Sequence, residues 1–488
     1  MPIARSSPDV GAAVGAPTQG RVDLVVLGAG PAGLTAAWRA ARRGLDVVVL
    51  ERAGRVGGMA ASLEVAGLRV DHGSHRLHPA TDPELLADLR ALLGDDLQTR
   101  PRHGRLRIGE RWLGFPLRAG ELATRLPRDL VVGALRDVAL APTRRRRDSP
   151  SYASVLRRGL GPTLYDAVYG PYAIKLWGLP GEAIDAEQAR RRVSADTPFK
   201  VAARVVRRGR TAAGSAQGAV FHYPRRGFGQ IVEAVAAAAT AAGARIVTGA
   251  EVTGVDAGPD GVRVTWDGGA VAARQVFSTL PVTTLGRVTR PAPSAHVVQE
   301  ASGLQFRAMA LVYLVHEGGR WTEHDAHYLP GPQTPITRVS EPANYRTSAD
   351  DPPDRTVLCV EIPCSAGDAM WSADDEALGE LAREGLAAVG LPPVRRPSVD
   401  GVTVRRLPNV YPVYARGYAS RLAGLQSWAD GLPNVVGFGR LGLFVHDNTH
   451  HAMRMAYDAV DCIGADGTWD SVAWGRAQDR FAAHVVED

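Results

Sequence analysis

Three glycines near the start of the chain have the spacing of a phosphate-binding turn. Gly28, Gly30 and Gly33 form G-x-G-x-x-G between the apolar segment VDLVVLG and the alanine-rich segment TAAWRAARRG. Glycine permits a tight turn and lets the backbone approach a pyrophosphate, whose charge is favoured by the amides at a helix N-terminus. With Pro31 and Ala32 between them, these glycines predict a dinucleotide site.

An acidic side chain follows at the distance that such a site requires. A second apolar segment, DVVVLE, ends at Glu51. A carboxylate at the end of the second strand can accept hydrogen bonds from the ribose hydroxyls of an adenosine, and it disfavours a ribose 2′-phosphate. Strand, glycine turn, helix and acidic residue in this order predict a βαβ nucleotide-binding unit.

The residues after this second strand indicate which dinucleotide is bound. The sequence continues ERAGRVGGMA, which contains Arg52, Arg55, Gly57, Gly58 and Met59. This pattern resembles the extended signature of flavin amine oxidases, protoporphyrinogen oxidases, phytoene desaturases and UDP-galactopyranose mutases. The resemblance implies FAD, bound non-covalently, with the second glycine pair close to its ribityl and phosphate groups. It also implies an α/β fold, a glutathione-reductase-type (Rossmann-like) FAD-binding domain with an inserted α+β substrate domain.

Two later segments resemble further cofactor contacts of this superfamily. TGAEVTGV, around Val252, is similar to the strand whose backbone contacts the adenine. VVGFGRLGLF resembles the last flavin contact, with Gly439 and Arg440 in the turn and a helix beginning near Asn448 and Thr449. A helix N-terminus there would stabilise negative charge on the N1/O2 edge of a reduced flavin.

A loop rich in histidine is expected beside the flavin. DHGSHRLHP contains Gly73, Ser74, His75 and His78, and it resembles the loop that UDP-galactopyranose mutases run past the isoalloxazine. In that position His75 or His78, or water, would accept the substrate proton. The alternative is that both histidines satisfy backbone groups of the loop.

Other residues are assigned to the substrate side by the same resemblance. Arg192, downstream of YAIKLWG, lies close to where the mutases place a substrate-phosphate arginine, and YPVY supplies Tyr411 and Tyr414. The alternative for the tyrosines is a half-buried structural pair. Trp177 is expected in the core rather than at a substrate platform.

Two more local expectations concern ion pairs and metals. Arg338 and Glu341, in ITRVSEP, are expected to form an internal ion pair. No metal site is predicted, because the histidines of the segment VHDNTHHAM match no familiar ligand spacing and the segment resembles a flavin contact.

Two departures from the related families bear on the reaction. No counterpart of the mutase stretch GxIDxxFD follows FSTLPV, and the strand AMALVYLVH lacks the flavin-facing lysine of amine oxidases. The leading hypothesis is an FAD-dependent oxidoreductase that removes a hydride from a C–N or C–C unit of a small molecule. The alternatives are a sugar-nucleotide mutase or isomerase that uses reduced FAD without net electron transfer, and a catalytically silent flavin-binding protein.

The chain length and the order of the segments predict two domains. With 488 residues, the chain exceeds what one hydrophobic core usually organises. Segments with a strand pattern stop and later return, which predicts a cofactor domain made of separated segments with a second domain inserted twice. The stretch from Arg105 to Pro150 is expected to be irregular and rich in arginine. The expected division is a disordered tail (1–20), an FAD-binding domain (21–105, 215–300 and 425–465), a substrate domain (106–214 and 301–424) and a C-terminal extension (466–488).

Composition limits the partners. The net charge of +6 arises from arginines spread along the chain, so no nucleic-acid partner is expected, and three badly spaced cysteines favour a reducing cytoplasm. No apolar stretch is long enough to span a bilayer, although residues 118–141 have amphipathic spacing that suits either peripheral contact with anionic lipid or packing on the chain itself. The expected partner is a small-molecule substrate, and the sequence does not indicate an oligomeric state.

Overall fold

The architecture is that of a computed structural model, which describes residues 20–116, 124–140, 151–192, 220–395 and 401–486. Nearly all of the expected N-terminal tail and the arginine run Arg144–Arg147 lie outside these ranges. Within them, no helix is both long and apolar enough to cross a membrane.

Strands from widely separated parts of the chain assemble into two large sheets and two small ones. In chain order the strands are β1 (Arg21–Leu27), β2 (Val47–Glu51), β3 (Ser62–Val65), β4 (Leu68–Asp71), β5 (Leu97–Pro101), β6 (Gly104–Ile108), β7 (Arg111–Phe115), β8 (Val220–Pro224), β9 (Arg245–Thr248), β10 (Val252–Gly258), β11 (Gly261–Trp266), β12 (Gly269–Ser278), β13 (Thr289–Arg290), β14 (Gln305–Glu317), β15 (Ala326–Tyr328), β16 (Arg338–Ser340), β17 (Arg355–Cys364), β18 (Val402–Val413) and β19 (Val435–Gly437).

Helices connect and cover the sheets. Among the described residues they are Pro31–Arg42, Pro83–Leu93, Arg128–Leu140, Tyr152–Leu160, Pro162–Leu164, Gly170–Trp177, Ala186–Arg192, Gly229–Ala241, Val282–Val288, Ala295–Ala301, Ala369–Ser372, Asp375–Ala388, Tyr418–Asp430, Gly439–Gly442, Thr449–Asp461 and Ser471–Ala482. The expected α/β organisation is confirmed.

The first sheet has eight strands in the order β13-β10-β11-β12-β1-β2-β9, with β19 also paired to β12. β1, β2, β9, β12 and β19 run parallel, whereas β10, β11 and β12 are joined by antiparallel pairing. The carboxyl ends of β1, β2, β12 and β19 therefore meet at one edge. Ligands of open α/β sheets bind outside this edge.

Alanine-rich helices pack closely against one face of the first sheet. The helix Pro31–Arg42 is largely buried, and it packs against Gly229–Ala241 and Thr449–Asp461. Small side chains allow the helix axes to approach, and the apolar faces share one core with β1 and β2. This packing brings the start of the first helix close to the start of a helix more than 400 residues later.

The second sheet has the order β18-β14-β17-β16-β15-β6-β7. β14 pairs antiparallel with β17 and β18 and is buried on both faces. Alternate side chains of β14 face the helix Asp375–Ala388 on one side and the β3–β4 hairpin on the other. The prediction of an irregular stretch from Arg105 to Pro150 is wrong at its start, because β6 and β7 form an antiparallel pair at the edge of this sheet.

The described part of the amphipathic segment 118–141 contains the helix Arg128–Leu140, which begins one residue after Pro127. Residues 118–123 and 141 lie outside the described ranges. The expected apolar stripe consists of Leu122, which lies outside the described ranges, and of Leu126, Leu130, Ala134 and Val138, whose side chains are half-buried. Asp137 accepts a hydrogen bond from the N–H of Thr163 at 2.7 Å. That stripe therefore packs on the chain itself.

Candidate active site

The glycine turn closes the first connection between strand and helix. The helix Pro31–Arg42 follows β1 directly, with Gly30 as its N-cap. A Cβ at Gly33 would overlap the carbonyl oxygen of Gly28 and lie 3.1 Å from its carbonyl carbon, so helix and strand meet too closely for a side chain. A Cβ at Gly30 would have no atom within 4 Å. The space in front of Gly30, faced by first-turn amides that lack an intrahelical acceptor, fits a pyrophosphate.

Glu51 holds this turn from the neighbouring strand. Its carboxylate accepts hydrogen bonds from the N–H of Ala29 at 2.7 Å and the N–H of Ala53 at 2.9 Å. The segment leading to Val252 passes the same strand end, because the N–H of Ala250 donates to the carbonyl oxygen of Glu51 at 2.8 Å. The carboxylate therefore orients the turn, and its contact with a ribose stays a prediction.

The second glycine pair packs directly on the first turn. The N–H of Gly57 donates to the carbonyl oxygen of Ala29 at 2.7 Å, and a Cβ at Gly58 would lie 3.3 Å from the Cα of Gly30. The backbone of ERAGRVGGMA thus forms a second wall of the space in front of Gly30.

The side chains around this pair differ in their surroundings. Arg52 is exposed and lies 3.9 Å from Glu251, and Met59 is half-buried. Nη2 of Arg55 lies 3.2 Å from Nε2 of His72. Burial and the charge of Arg55 lower the pKa of His72 to about 4, so His72 is neutral near pH 7. Arg55 is thereby tied to the histidine loop.

A third turn reaches the same place from the C-terminal part of the chain. The N–H of Phe438 donates to the carbonyl oxygen of Ser278 at 3.1 Å, which holds the turn at the end of β12. A Cβ at Gly439 would lie 3.4 Å from the Cβ of Ala32. Three glycine turns, distant in sequence, therefore meet at the N-terminus of one helix.

A second helix N-terminus lies beyond this third turn. Asn448 is the N-cap of the helix Thr449–Asp461, and it forms a capping box with His451. Thr449, the first helical residue, is half-buried. The expected helix start is confirmed, whereas its contact with a flavin stays a prediction.

The histidine loop starts at a buried carboxylate. Asp71 accepts hydrogen bonds from the hydroxyl of Ser62 at 2.6 Å and from the N–H of Phe228 at 2.9 Å. Its second carboxylate oxygen accepts from the hydroxyl of Tyr223, and its carbonyl oxygen accepts from the hydroxyl of Tyr313 at 2.7 Å. Because Tyr313 belongs to β14, Asp71 fixes the loop to the second sheet, and through Ser62 and Tyr223 it also fixes the loop to the small strands β3 and β8.

The second sheet also contacts Gly73 and Ser74 of the loop. The N–H of Ser74 donates to Oε1 of Glu361 at 2.8 Å, and a Cβ at Gly73 would lie 3.4 Å from the same oxygen. Arg338 donates two hydrogen bonds to Glu361, at 3.0 and 2.9 Å. The expected pairing of Arg338 with Glu341 is wrong. Residues three apart in extended backbone point to opposite faces, and Glu341 instead accepts backbone N–H groups.

Sequence reasoning missed a buried network under this loop. Arg76 forms a salt bridge with Asp325 at 3.1 Å and donates to the hydroxyl of Tyr328 at 3.0 Å. Its guanidinium lies 4.7 Å from the ring centroid of Tyr345, whose hydroxyl is hydrogen-bonded to that of Ser74. The available signal was an arginine between the two histidines of DHGSHRLHP, a cation that needs a buried partner.

The two loop histidines face different neighbours. His75 stacks on Phe228 with ring centroids 5.2 Å apart, and its Nε2 lies 2.9 Å from the carbonyl oxygen of His72. Burial lowers the pKa of His75, so the ring is neutral, with its proton on Nε2 and its lone pair on Nδ1. His78 stacks instead on His450, at 5.9 Å.

Aromatic rings and two arginines form a second group of site residues. The guanidinium groups of Arg192 and Arg440 lie 4.9 and 4.8 Å from the ring centroid of Tyr411. Trp177 contacts Tyr411 edge-on at 5.5 Å, and the ring of His446 is stacked near it at 6.2 Å. The structure therefore brings together Arg192, Tyr411 and Arg440, which the sequence placed in three separate motifs.

This arginine–aromatic group carries unused donors. Within the described ranges, Nε of Arg192 and both Nε and Nη2 of Arg440 are buried without a hydrogen-bond partner. Burial lowers the pKa of Arg440 and holds that of His446 well below its ordinary value, so the histidine is neutral. Buried guanidinium donors without acceptors favour a ligand that carries anionic oxygen.

The assignment of Tyr414 to the substrate is corrected. Tyr414 is 2% exposed, and its hydroxyl donates to the carbonyl oxygen of Phe444 at 3.0 Å. Its ring stacks on Tyr418 at 4.0 Å. Tyr414 therefore supports the turn after Arg440 from inside the core, whereas Tyr411 remains at the site.

Comparisons with known proteins agree with this geometry. Residues 31–458 match the family of flavin containing amine oxidoreductases. A segment of 93 residues, 19% of the chain, is 41% identical to a Mycobacterium tuberculosis protein assigned as a flavin-containing monoamine oxidase, and it covers 20% of that protein. The curated relatives are thus matched over a fifth of their length or less.

Solved structures resemble the fold over almost the whole chain. Reduced UDP-galactopyranose mutase has a TM-score of 0.77 at 20% identity, and the alignment covers 96% of this chain and all of that one. A protein from Exiguobacterium assigned as a protoporphyrinogen oxidase has a TM-score of 0.69 at 18% identity, covering 94% of this chain and all of that one. At these identities the likeness shows a shared fold.

The family match begins at the helix Pro31–Arg42, where the three glycine turns meet, and it ends within the helix Thr449–Asp461. The chain therefore belongs to the flavin containing amine oxidoreductases, and its cofactor is FAD.

Proposed function

We propose that the protein oxidises a small molecule by removing a hydride from a C–N or C–C unit. The observation that carries this proposal is the meeting of three glycine turns and the histidine loop at one edge of the first sheet. Gly57 donates to Ala29, Gly439 packs on Ala32, and Arg55 contacts His72 of the loop. FAD, when bound there, supplies the hydride acceptor.

The residues of the chain have three tasks in this reaction. The glycine turns and Glu51 bind and orient the cofactor. Tyr411, backed edge-on by Trp177, which is buried in the core as expected, positions the substrate and excludes water. Nδ1 of His75 is the proton acceptor, because the other ring nitrogen faces the carbonyl oxygen of His72.

The side chain of Lys175 is hydrogen-bonded to backbone carbonyl groups of the fold. Its ammonium group donates to the carbonyl oxygens of Leu329 at 2.6 Å and Ile336 at 3.0 Å, so it is held within the fold. No other lysine lies in the described ranges. The proposed reaction therefore assigns no proton transfer to Lys175.

A second candidate function rests on the arginine–aromatic group. Arg192 and Arg440 both offer buried donors next to the ring of Tyr411, and two guanidinium groups suit the oxygens of a diphosphate. This favours a sugar-nucleotide mutase or isomerase, as does the likeness to UDP-galactopyranose mutase. The absence of the GxIDxxFD stretch after FSTLPV weighs against it.

Anaerobic reduction of the purified holoenzyme separates the two candidates. If amine or C–C donors reduce the flavin and oxygen or another acceptor reoxidises it with turnover, the oxidoreductase proposal holds. Turnover of a UDP-sugar that requires dithionite and produces no net electron transfer would replace it with the mutase. Arg192→Ala should weaken UDP binding at least tenfold if the mutase is correct, with exposed Arg158→Ala as the matched control.

We also propose that the protein acts in the cytoplasm and without nucleic acid. Its three cysteines, Cys359, Cys364 and Cys462, are buried and unpaired, which suits a reducing compartment. Fractionation of the native host with a flavin fluorescence readout tests the location.

A further inference from the structure

A cluster of metal-ligating side chains lies next to the third turn. Nδ1 of His484 is 3.1 Å from Oδ2 of Asp447, and Nδ1 of His451 is 3.9 Å from Oδ1 of the same carboxylate. One ligand atom from each of the three residues lies within 4.8 Å of the others. Donor atoms around tetrahedral zinc, with bonds of about 2.0–2.2 Å, are separated by about 3.3 Å, so the observed separations must close by about 1.5 Å or less.

The carboxylate in this cluster lacks a partner on one side. The side chain of Asp447 is fully buried, and its Oδ1 accepts no hydrogen bond from the described residues. A buried carboxylate oxygen without a partner is costly, and a cation would remove that cost. The ring nitrogen of His451 that faces it makes a long contact of 3.4 Å with the N–H of Asn448.

Two distant chain segments supply the donors. Asp447 and His451 flank the start of the helix Thr449–Asp461, whereas His484 follows the helix Ser471–Ala482. The rings of His451 and His484 are stacked at 4.3 Å and remain 14% and 18% exposed, which leaves a route from solvent.

The structure assigns to Asp447, His451 and His484 the binding of one divalent transition-metal ion, for which Zn²⁺ is the best match. Two imidazoles and one carboxylate with an open fourth position form a donor set typical of zinc, whereas Ca²⁺ and Mg²⁺ prefer oxygen ligands throughout. The sequence predicted no metal site on the basis of the segment VHDNTHHAM alone. His484 lies outside that segment.

The ion would connect the end of the chain to the active site. The C-terminal segment already touches the arginine helix, because the N–H of Val486 donates to the carbonyl oxygen of Arg191 at 2.9 Å, and Arg191 donates to the carbonyl oxygen of Ala482 at 3.1 Å. A metal at His484 would hold this segment against the turn that carries Asp447. The same C-terminal segment would then support both Arg192 and Arg440.

Metal binding by the FAD-loaded protein tests this assignment. Protein made without a histidine tag is treated with a chelator and titrated with Zn²⁺ by calorimetry and with Co²⁺ by absorbance beyond the flavin bands. We expect one equivalent of metal and, at a hundredfold excess over Kd, a rise in melting temperature of about 3 °C. His484→Ala should weaken binding at least tenfold without changing the FAD content.

The matched control uses a second histidine cluster. His103, Glu323 and His324 also lie within ligand distance of one another, but His103 and Glu323 are exposed. His103→Ala should leave the stoichiometry and Kd unchanged. If the wild-type protein takes up neither Zn²⁺ nor Co²⁺, or if His484→Ala binds them as the wild type does, the assignment is wrong. Binding lost in His103→Ala instead would move the metal to that cluster and equally overturn it.

Discussion

The substitution Gly30→Ala should separate cofactor binding from folding. Gly30 has φ −80° and ψ −177°, an extended conformation that alanine adopts without strain, and the new methyl group would meet no atom within 4 Å. The cost to the apoprotein is that of alanine replacing glycine at an N-cap, about 1 kcal/mol or less. The methyl group would, however, occupy the space that the pyrophosphate needs.

The expected loss of FAD affinity follows from that overlap. Forcing an extra methyl group into a filled site costs about 1–3 kcal/mol, which corresponds to a fall in affinity of roughly fivefold to a hundredfold. Apoprotein is titrated with FAD by fluorescence quenching, and the melting temperature of the same apoprotein is measured in parallel.

Gly33→Ala is the matched control. The same methyl group at Gly33 would overlap the carbonyl oxygen of Gly28, so helix and strand must separate. The apoprotein should then lose more than about 3 kcal/mol of stability. Wild-type FAD affinity in Gly30→Ala would refute the position given to the pyrophosphate, and equal destabilisation by both substitutions would refute the geometry of the turn.

Three further predictions follow. Glu51→Gln should lower FAD affinity about tenfold to a hundredfold in the same titration, because a charged acceptor is lost; unchanged affinity would mean that the carboxylate does not touch the ribose. Burial lowers the pKa of His327 to about 2, so the folded protein cannot take up the proton that the unfolded chain binds below about pH 6.5, and stability should fall as the pH drops from 7 to 4.5. His327→Gln should make the fall in melting temperature over this range less steep, and a slope as steep as that of the wild type would contradict the assignment. Val132 and Leu135, both 66% exposed on the helix Arg128–Leu140, which also exposes Arg128 and Arg136, should bind the protein to anionic vesicles at low salt; the double change to aspartate should release it in co-sedimentation, and wild-type protein that stays in the supernatant would rule out lipid contact.

The nucleotide half of the site could be predicted because its determinants are local. Strand, turn, helix and acidic strand end occur within about 30 residues, as such a unit requires. Gly30 and Gly58 lie so close together that a side chain at Gly58 would crowd the backbone of Gly30. The need for glycine at such positions can therefore be recognised in the sequence.

The remaining site depends on which strands become neighbours, and no local pattern records that. Arg338 pairs with Glu361 because β16 and β17 lie side by side, whereas Glu341, three residues away, points to the other face. The tyrosines of YPVY look alike in sequence. Their alternation on β18 and beyond places Tyr411 against two arginines and Tyr414 in the core.

The strand order of the first sheet has a consequence for synthesis on the ribosome. β1 emerges before its partner β12, which is about 250 residues further along the chain and arrives some 13–50 s later at about 5–20 residues per second. β19, which completes that edge, follows still later. During this interval the backbone edge of β1 that β12 will cover is unpaired and open to wrong partners. Slower translation lengthens that exposure, so the yield of the correctly assembled flavoprotein should depend on chaperones that shield β1 until β12 has emerged.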